Sequence, residues 1–127
     1  MSTDPTITLL ENLFAAFNAH DADKVVSLMT EDCLFEAAAG TEMFGARHKG
    51  RAAVKAAFEN VWKGLPDVQW GVTKHFHAGD RAVSEWVFRA TRPDGSKIEV
   101  QGCDLFTLRN GMIAVKQAFR KERMSAR

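Results

Sequence analysis

The stretch Gln101-Gly102-Cys103-Asp104-Leu105-Phe106-Thr107-Leu108-Arg109-Asn110-Gly111-Met112-Ile113-Ala114-Val115-Lys116 reads as two β-strands joined by a turn. Asn110 and Gly111 are the turn residues, and an apolar strand lies on each side. One carboxylate, Asp104, falls in the middle of the first strand. A carboxylate in apolar surroundings must be paired, hydrogen-bonded or protonated, because an isolated buried charge costs several kcal/mol or more. Asp104 is therefore the leading candidate for chemistry.

Upstream of this hairpin the apolar pattern alternates from Val68 onward, predicting strands at Val68–His77, Arg81–Thr91, Lys97–Leu108 and Met112–Arg120. Ala78-Gly79-Asp80, Pro93-Asp94-Gly95 and Arg109-Asn110-Gly111 supply the turns. Before Val68 the period is helical. Asp4-Pro5 caps a first helix with Ile7, Leu10, Leu13, Phe14 and Phe17 on one side, running to about Ala19. Asp21 opens a short second helix through Val25, Val26, Leu28 and Met29, followed by a short strand, Cys33 to Glu36. The glycine-containing segment from Ala37 to Lys49 reads as a loop. A third helix after Gly50 carries Ala53, Val54, Ala57, Phe58, Val61 and Trp62, and ends near Gly64-Leu65-Pro66. Three helices followed by a meander of long strands predict an α+β cone-shaped barrel: helices packed on one face of a curved antiparallel sheet, with residues 1–127 forming one domain.

Bulk properties narrow the function classes. With 46% apolar and 26% charged residues and a formal net charge of +1, the chain has no polyanion-binding bias, so a nucleic-acid partner is not expected. The basic run Arg120-Lys121-Glu122-Arg123, with Arg127 beyond it, reads as a solvated tail. No apolar stretch approaches a membrane span, and Met1-Ser2-Thr3-Asp4-Pro5 lacks a signal pattern, so the expectation is cytoplasmic with no membrane partner. Cys33 and Cys103 are isolated thiols without metal-type spacing.

Three phrases carry a family resemblance: Phe17-Asn18-Ala19-His20-Asp21, Gly50-Arg51-Ala52-Ala53-Val54, and Gly102-Cys103-Asp104-Leu105-Phe106 with Asn110-Gly111-Met112-Ile113. With the order of elements, they resemble the nuclear transport factor 2-like superfold, and within it the SnoaL-like and ketosteroid isomerase-like proteins, over nearly the full chain. The resemblance implies a small-molecule pocket, no cofactor, and a homodimer through the sheet. It places Asp104 on the isomerases' oxyanion-binding acid, a carboxylic acid that in that family is kept protonated by an apolar site. The family's proton-shuttling aspartate corresponds to Ala37, and its tyrosine falls near Leu13 or Phe14 in a chain that contains no tyrosine. Steroid isomerisation by that mechanism is not supported. Cyclases and limonene epoxide hydrolases of the superfold carry an acid on the last strand, where this chain has Ala118. Lys116, Ala118 and Arg120 alternate there instead, a basic wall suited to an anionic or enolate-forming ligand.

Register decides whether Lys116 meets Asp104. A two-residue Asn110-Gly111 turn pairs Asp104 with Gln117, whereas a three-residue loop with a glycine bulge pairs it with Lys116; the resemblance favours the second. An adjacent ammonium would lower the pKa of Asp104 and keep it ionised. Asp104 would then act as a general base with Lys116 as electrostatic stabiliser, or the two would form an inert buried ion pair.

Trp86, Phe88 and Phe106 are candidate pocket-wall residues with Ala118, Arg120, Phe14 and Phe17, and Glu36 is a candidate at the rim. Trp62 and Trp70 suit the core. His75 and His77 share a strand face but make a poor metal site, so no metal is expected; an exposed or interfacial face is the simpler reading. His48 could cover the mouth, and His20 suits a helix end. Val83, Glu85, Val87 and Arg89 form the opposite, mixed face expected at the dimer contact. Two functions remain open: an isomerase-, cyclase- or dehydratase-type acid–base enzyme acting on a small apolar carbonyl or hydroxyl compound, and a non-catalytic ligand-binding or assembly module.

Overall fold

In the computed structural model, which describes residues 4–124, three helices precede or interrupt a six-stranded sheet. Met1 to Thr3 and Arg127 lie outside the described residues. Helix α1 spans Pro5–Asn18, α2 Ala22–Ser27 and α3 Arg51–Gly64; the strands are β1 Met29–Glu36, β2 Arg47–Lys49, β3 Gln69–Ala78, β4 Arg81–Thr91, β5 Lys97–Arg109 and β6 Met112–Arg120. The Asp4 carboxylate accepts from the backbone N–H groups of Thr6 and Ile7, and Asp21 caps α2 through Lys24. Both acids thereby satisfy amides that have no partner within the helix.

The sheet order is β2-β1-β6-β5-β4-β3. Three points correct the sequence reading. The sheet is not wholly antiparallel, since β1 runs parallel to β6. It is not closed into a barrel, because β2 and β3 are edges. The segment read as a loop contains β2, and β1 begins at Met29, ahead of Cys33. The parallel pairing follows from connectivity: α3 and the β3–β6 meander intervene between β1 and its neighbour, leaving room for a crossover that no hairpin could supply.

One face of the sheet is covered by α1 and α3. Leu10, Leu13, Phe14 and Phe17 of α1 and Val54, Phe58 and Trp62 of α3 bury themselves against Phe35, Trp70, Trp86, Phe88 and Phe106. The helical and strand apolar periods thus meet in one core, where burial of such side chains contributes about 1.5–3 kcal/mol each.

A bulge in β3 changes which side chains enter that core. The β3–β4 register shifts between Gly71 and Lys74, and Val72 adopts φ +52°. Simple alternation puts His75 and His77 on the face away from Trp70. The extra residue turns them back toward α1, correcting their reading as exposed-face residues. His75 Nδ1 lies 2.8 Å from Ser84 Oγ, and His77 Nε2 lies 2.7 Å from the Asp4 cap.

Val72 is β-branched, exposed and in the left-handed region, a conformation unfavourable by roughly 1–2 kcal/mol for L-residues. Val72→Gly is expected to raise stability by about 1 kcal/mol, read from urea denaturation. A loss of stability would show that Val72 makes contacts that outweigh its backbone strain.

Candidate functional site

Asp104 stands at the centre of the helix-covered face, opposite Ser84 on β4 and Ala118 on β6. The pairing with Ala118 matches neither register considered from the sequence. Asn110 (φ +53°) and Gly111 (φ +75°) form a two-residue turn with both residues left-handed, and Arg109 pairs with Met112. A shift between Thr107 and Leu108, with Ala114 as the unpaired residue, then advances the register by one. The bulge returns Lys116 to the face of Asp104. Lys116 lies opposite Phe106 and reaches the acid diagonally, Nζ to Oδ1 2.9 Å.

The pair is sealed. Asp104 is 0% exposed and Lys116 3%. The indole Nε1 of Trp86 donates to the other carboxylate oxygen, Oδ2, at 3.0 Å. The ammonium lies 5.2, 4.7 and 5.5 Å from the ring centroids of Phe17, Phe35 and Phe58. These aromatic faces offer a cation some of the attraction that water would have supplied. Complete burial pushes the Asp104 carboxyl above its ordinary range, while Lys116 and the Trp86 N–H pull against that shift; the net direction is upward. The expectation that Lys116 would leave the carboxyl depressed is thus corrected, desolvation being the larger effect.

Several predicted pocket residues are core residues. Phe14, Phe17, Phe88 and Phe106 are buried, with Phe17 also facing Lys116. Trp86, Ala118, Arg120 and Glu36 line an open groove of about 890 Å³. Trp86 joins the two regions, since it is 4% exposed, touches the groove and bonds to Asp104. Gly102 makes room for it: a Cβ there would stand 2.5 Å from two indole carbons and from the carbonyl oxygen of Phe119. Arg120 packs its guanidinium 4.5 Å from the Phe88 ring centroid, and burial lowers its pKa. Glu36 points to the outer face, held by Arg47 at 2.6 Å and Gln117 at 2.9 Å. These contacts, with the Gln117 bond the larger effect, keep its carboxyl below the usual range.

The sequence reading missed several features of the site. Ser84 and Gly102 were each visible in strands, but neither residue type alone announces its neighbour. Met43 and Phe44 reach the groove from the segment read as loop, and the Arg47 guanidinium stacks 3.7 Å from the Phe44 centroid. His48 stacks on Phe35, and His20 stacks on Trp62 while bonding to the Val68 carbonyl. Cys33 is buried; Cys103 is half-buried in the groove wall. Among the described residues no cluster of three or more metal-ligating side chains occurs, and no helix is long and apolar enough to cross a membrane.

A family model described as the SnoaL-like domain matches residues 10–116. The chain belongs to the SnoaL-like family. No curated protein matches its sequence. Similar solved structures include a protein from Xanthomonas campestris provisionally named a polyketide cyclase, at 21% identity and TM-score 0.81, covering 91% of this chain and 89% of that one. An NTF2-like protein of unknown function from Burkholderia pseudomallei aligns at 15% identity and TM-score 0.82, covering 94% and 92%. A protein of ketosteroid isomerase-like fold from Catenulispora acidiphila, solved with trimethylamine, aligns at 20% identity and TM-score 0.78, covering 87% and 83%. At these identities the likeness is one of fold.

Removing one member of the buried pair leaves the other charge stranded. Lys116→Met and Asp104→Leu are each expected to destabilise by about 3–5 kcal/mol, and the double variant by less than either. Because the Asp104 carboxyl is raised on folding, its contribution is greatest below the unfolded value and falls as pH rises through the folded one. The stability of the parent relative to Asp104→Asn should therefore decline from pH 4 toward neutrality in urea titrations. Additive single variants would remove the coupling, and a pH-independent difference would remove the upward shift.

Proposed function

We propose that this SnoaL-like domain binds a small, largely apolar molecule bearing an anionic group in the groove beside Trp86, and that the Asp104–Lys116 pair serves the site as a buried bridge fixing Trp86. The observation that carries this reading is that each Asp104 oxygen already has a donor and the carboxylate has no exposed surface. A molecule in the groove meets the indole, not the acid. The groove volume is within the usual range for small-molecule sites, and Trp86, Phe44 and Phe119 give it apolar wall. Arg120 supplies a cation already desolvated on one side by Phe88.

A second reading is an isomerase- or cyclase-type enzyme with Asp104 as proton acceptor and Lys116 as stabiliser of negative charge. It is favoured by the upward shift of a carboxyl one side chain away from the groove, and by the polyketide cyclase name of one similar protein. One set of probes separates the readings. 2-Naphthoate should perturb the amide resonances of Gly102 and Ala118 and bind roughly tenfold more tightly than 2-naphthamide, a preference lost in Arg120→Met. Equal binding of the two would remove the anion contact, and absence of any shift would remove the groove. In deuterated water, 2-tetralone should exchange its α-protons no faster with the parent protein than with Asp104→Asn. Exchange that depends on Asp104 would establish the enzymatic reading.

The same face that carries the groove, with Val72, Lys74, Glu85 and Phe119 among its lining residues, also suits self-association, in which a second copy would take the place of the small molecule. Val72, Phe76 and Phe119 are exposed there, alongside the cross-strand neighbours Lys74 and Glu85. A second copy, turned by a two-fold axis, would set like side chains and opposite charges within reach. Sedimentation should show a dimer at tens of micromolar, weakened by Phe119→Lys; a parent monomer at that concentration would exclude this contact.

A further inference from the structure

A row of polar side chains stands at the base of the connection between β1 and β2. Glu36 on β1 pairs with Arg47 on β2 and, on its other side, with Gln117 on β6. The Gln117 amide donates to one Glu36 oxygen at 2.9 Å, and the Arg47 guanidinium donates to the other through Nε at 3.0 Å and Nη2 at 2.6 Å. Glu36 is 7% exposed, so its carboxylate is engaged in aiming Arg47. That guanidinium in turn lies 3.7 Å from the ring centroid of Phe44.

Residues 37–46 join the two strands through a loop whose backbone has little freedom. The Ala37 amide donates to the Ala46 carbonyl at 2.8 Å, and the amides of Ala46 and Gly45 donate to the carbonyls of Ala39 and Glu42, each at 3.0 Å. Gly45 has φ +78°, and a Cβ on it would stand 2.1 Å from the Ala37 carbonyl oxygen. What remains adjustable is the direction of the side chains the loop carries. Phe44 lines the groove together with Glu36 and Gln117, whereas Arg47 stands behind them and does not line it.

We propose that Arg47 determines the groove's size selectivity: by stacking on Phe44 it fixes how far the ring closes the β1 end, and so how long an apolar molecule the groove accepts. This role rests on the groove being a small-molecule site. Gln117 precedes Arg120 by three residues on β6, about 10 Å along the strand, and both line the groove. A molecule with its anionic group at Arg120 brings its apolar end toward Phe44, where two fused rings fit and a third meets the phenyl ring. A guanidinium suits the positioning role because it is planar, bonding Glu36 with its edge while its face lies on the ring; an ammonium keeps the charge but has no such face.

The test compares anthracene-2-carboxylate with 2-naphthoate by titration calorimetry. The parent should favour 2-naphthoate. Arg47→Lys, which keeps a cation beside Glu36, and Phe44→Ala should each move the ratio of dissociation constants toward the larger probe by about fivefold. The double variant should move it no further than Phe44→Ala alone. A role confined to stability would change the binding of both probes alike. An unchanged ratio in Arg47→Lys, or additive shifts in the double variant, would overturn the role. A second readout needs no ligand: the Arg47 δ-methylene protons should show an upfield ring-current shift that Phe44→Ala abolishes. Its absence from the parent would overturn the stack whether or not the probes bind. Failure of both probes to bind a parent that shows the shift would remove the groove as a small-molecule site, and the role with it, whereas binding with an unchanged ratio removes the role alone.

Discussion

An acid and an ammonium buried together constrain everything around them. Neither Asp104 nor Lys116 could occupy its position alone, since an unpaired charge sealed from water is strongly unfavourable. Their 2.9 Å contact therefore demands a fixed register between β5 and β6, a donor for the second carboxylate oxygen and a cation-tolerant wall. Trp86 meets the second demand, and Phe17, Phe35 and Phe58 meet the third. Those three rings come from α1, β1 and α3, so the pair ties both long helices to the sheet.

The requirement explains why the hairpin is irregular. A regular two-residue turn would leave Lys116 on the outer face, where its charge would be solvated and Asp104 stranded. The bulge at Ala114 restores the facing, and the same device at Val72 brings His75 and His77 under α1. Much of the architecture was legible in advance: the alternation from Val68, the helical stripes and the capping acids Asp4 and Asp21 name the three helices and the meander β3–β6, whereas only the second half of β1 was read as strand and β2 was read as loop. The bulges were not, because an extra residue in a strand leaves no mark when neighbours on both faces are apolar or mixed. Val72 and Ala114 look like ordinary strand residues, and each reverses the facing of what surrounds it.

The site was legible to a similar depth. Asp104 and Lys116 stood out as charges among apolar residues, but across a regular two-residue turn they fall on opposite faces, and it is the bulge at Ala114 that lets them meet. What sealed them was not visible, because Phe14, Phe17, Phe88 and Phe106 serve equally well as pocket wall or core. The difference depends on how closely α1 and α3 approach the sheet, a property of the whole packing. Gly102 shows the same dependence: its missing side chain is informative only once the Trp86 indole is seen lying across it.

That indole also sets how the inner pair and the outer groove communicate. Its N–H holds the carboxylate, and its ring forms groove wall above Gly102. A ligand that displaces the ring would withdraw a donor from Asp104, whose carboxyl burial already pushes upward; loss of a bond to the ionised form pushes it further in the same direction. By linkage, protonation of Asp104 weakens its hold on Trp86 and eases the same displacement. On the proposed reading, groove occupancy and the charge on the buried acid would be coupled through one hydrogen bond, with Gly102 leaving the space in which the ring rests.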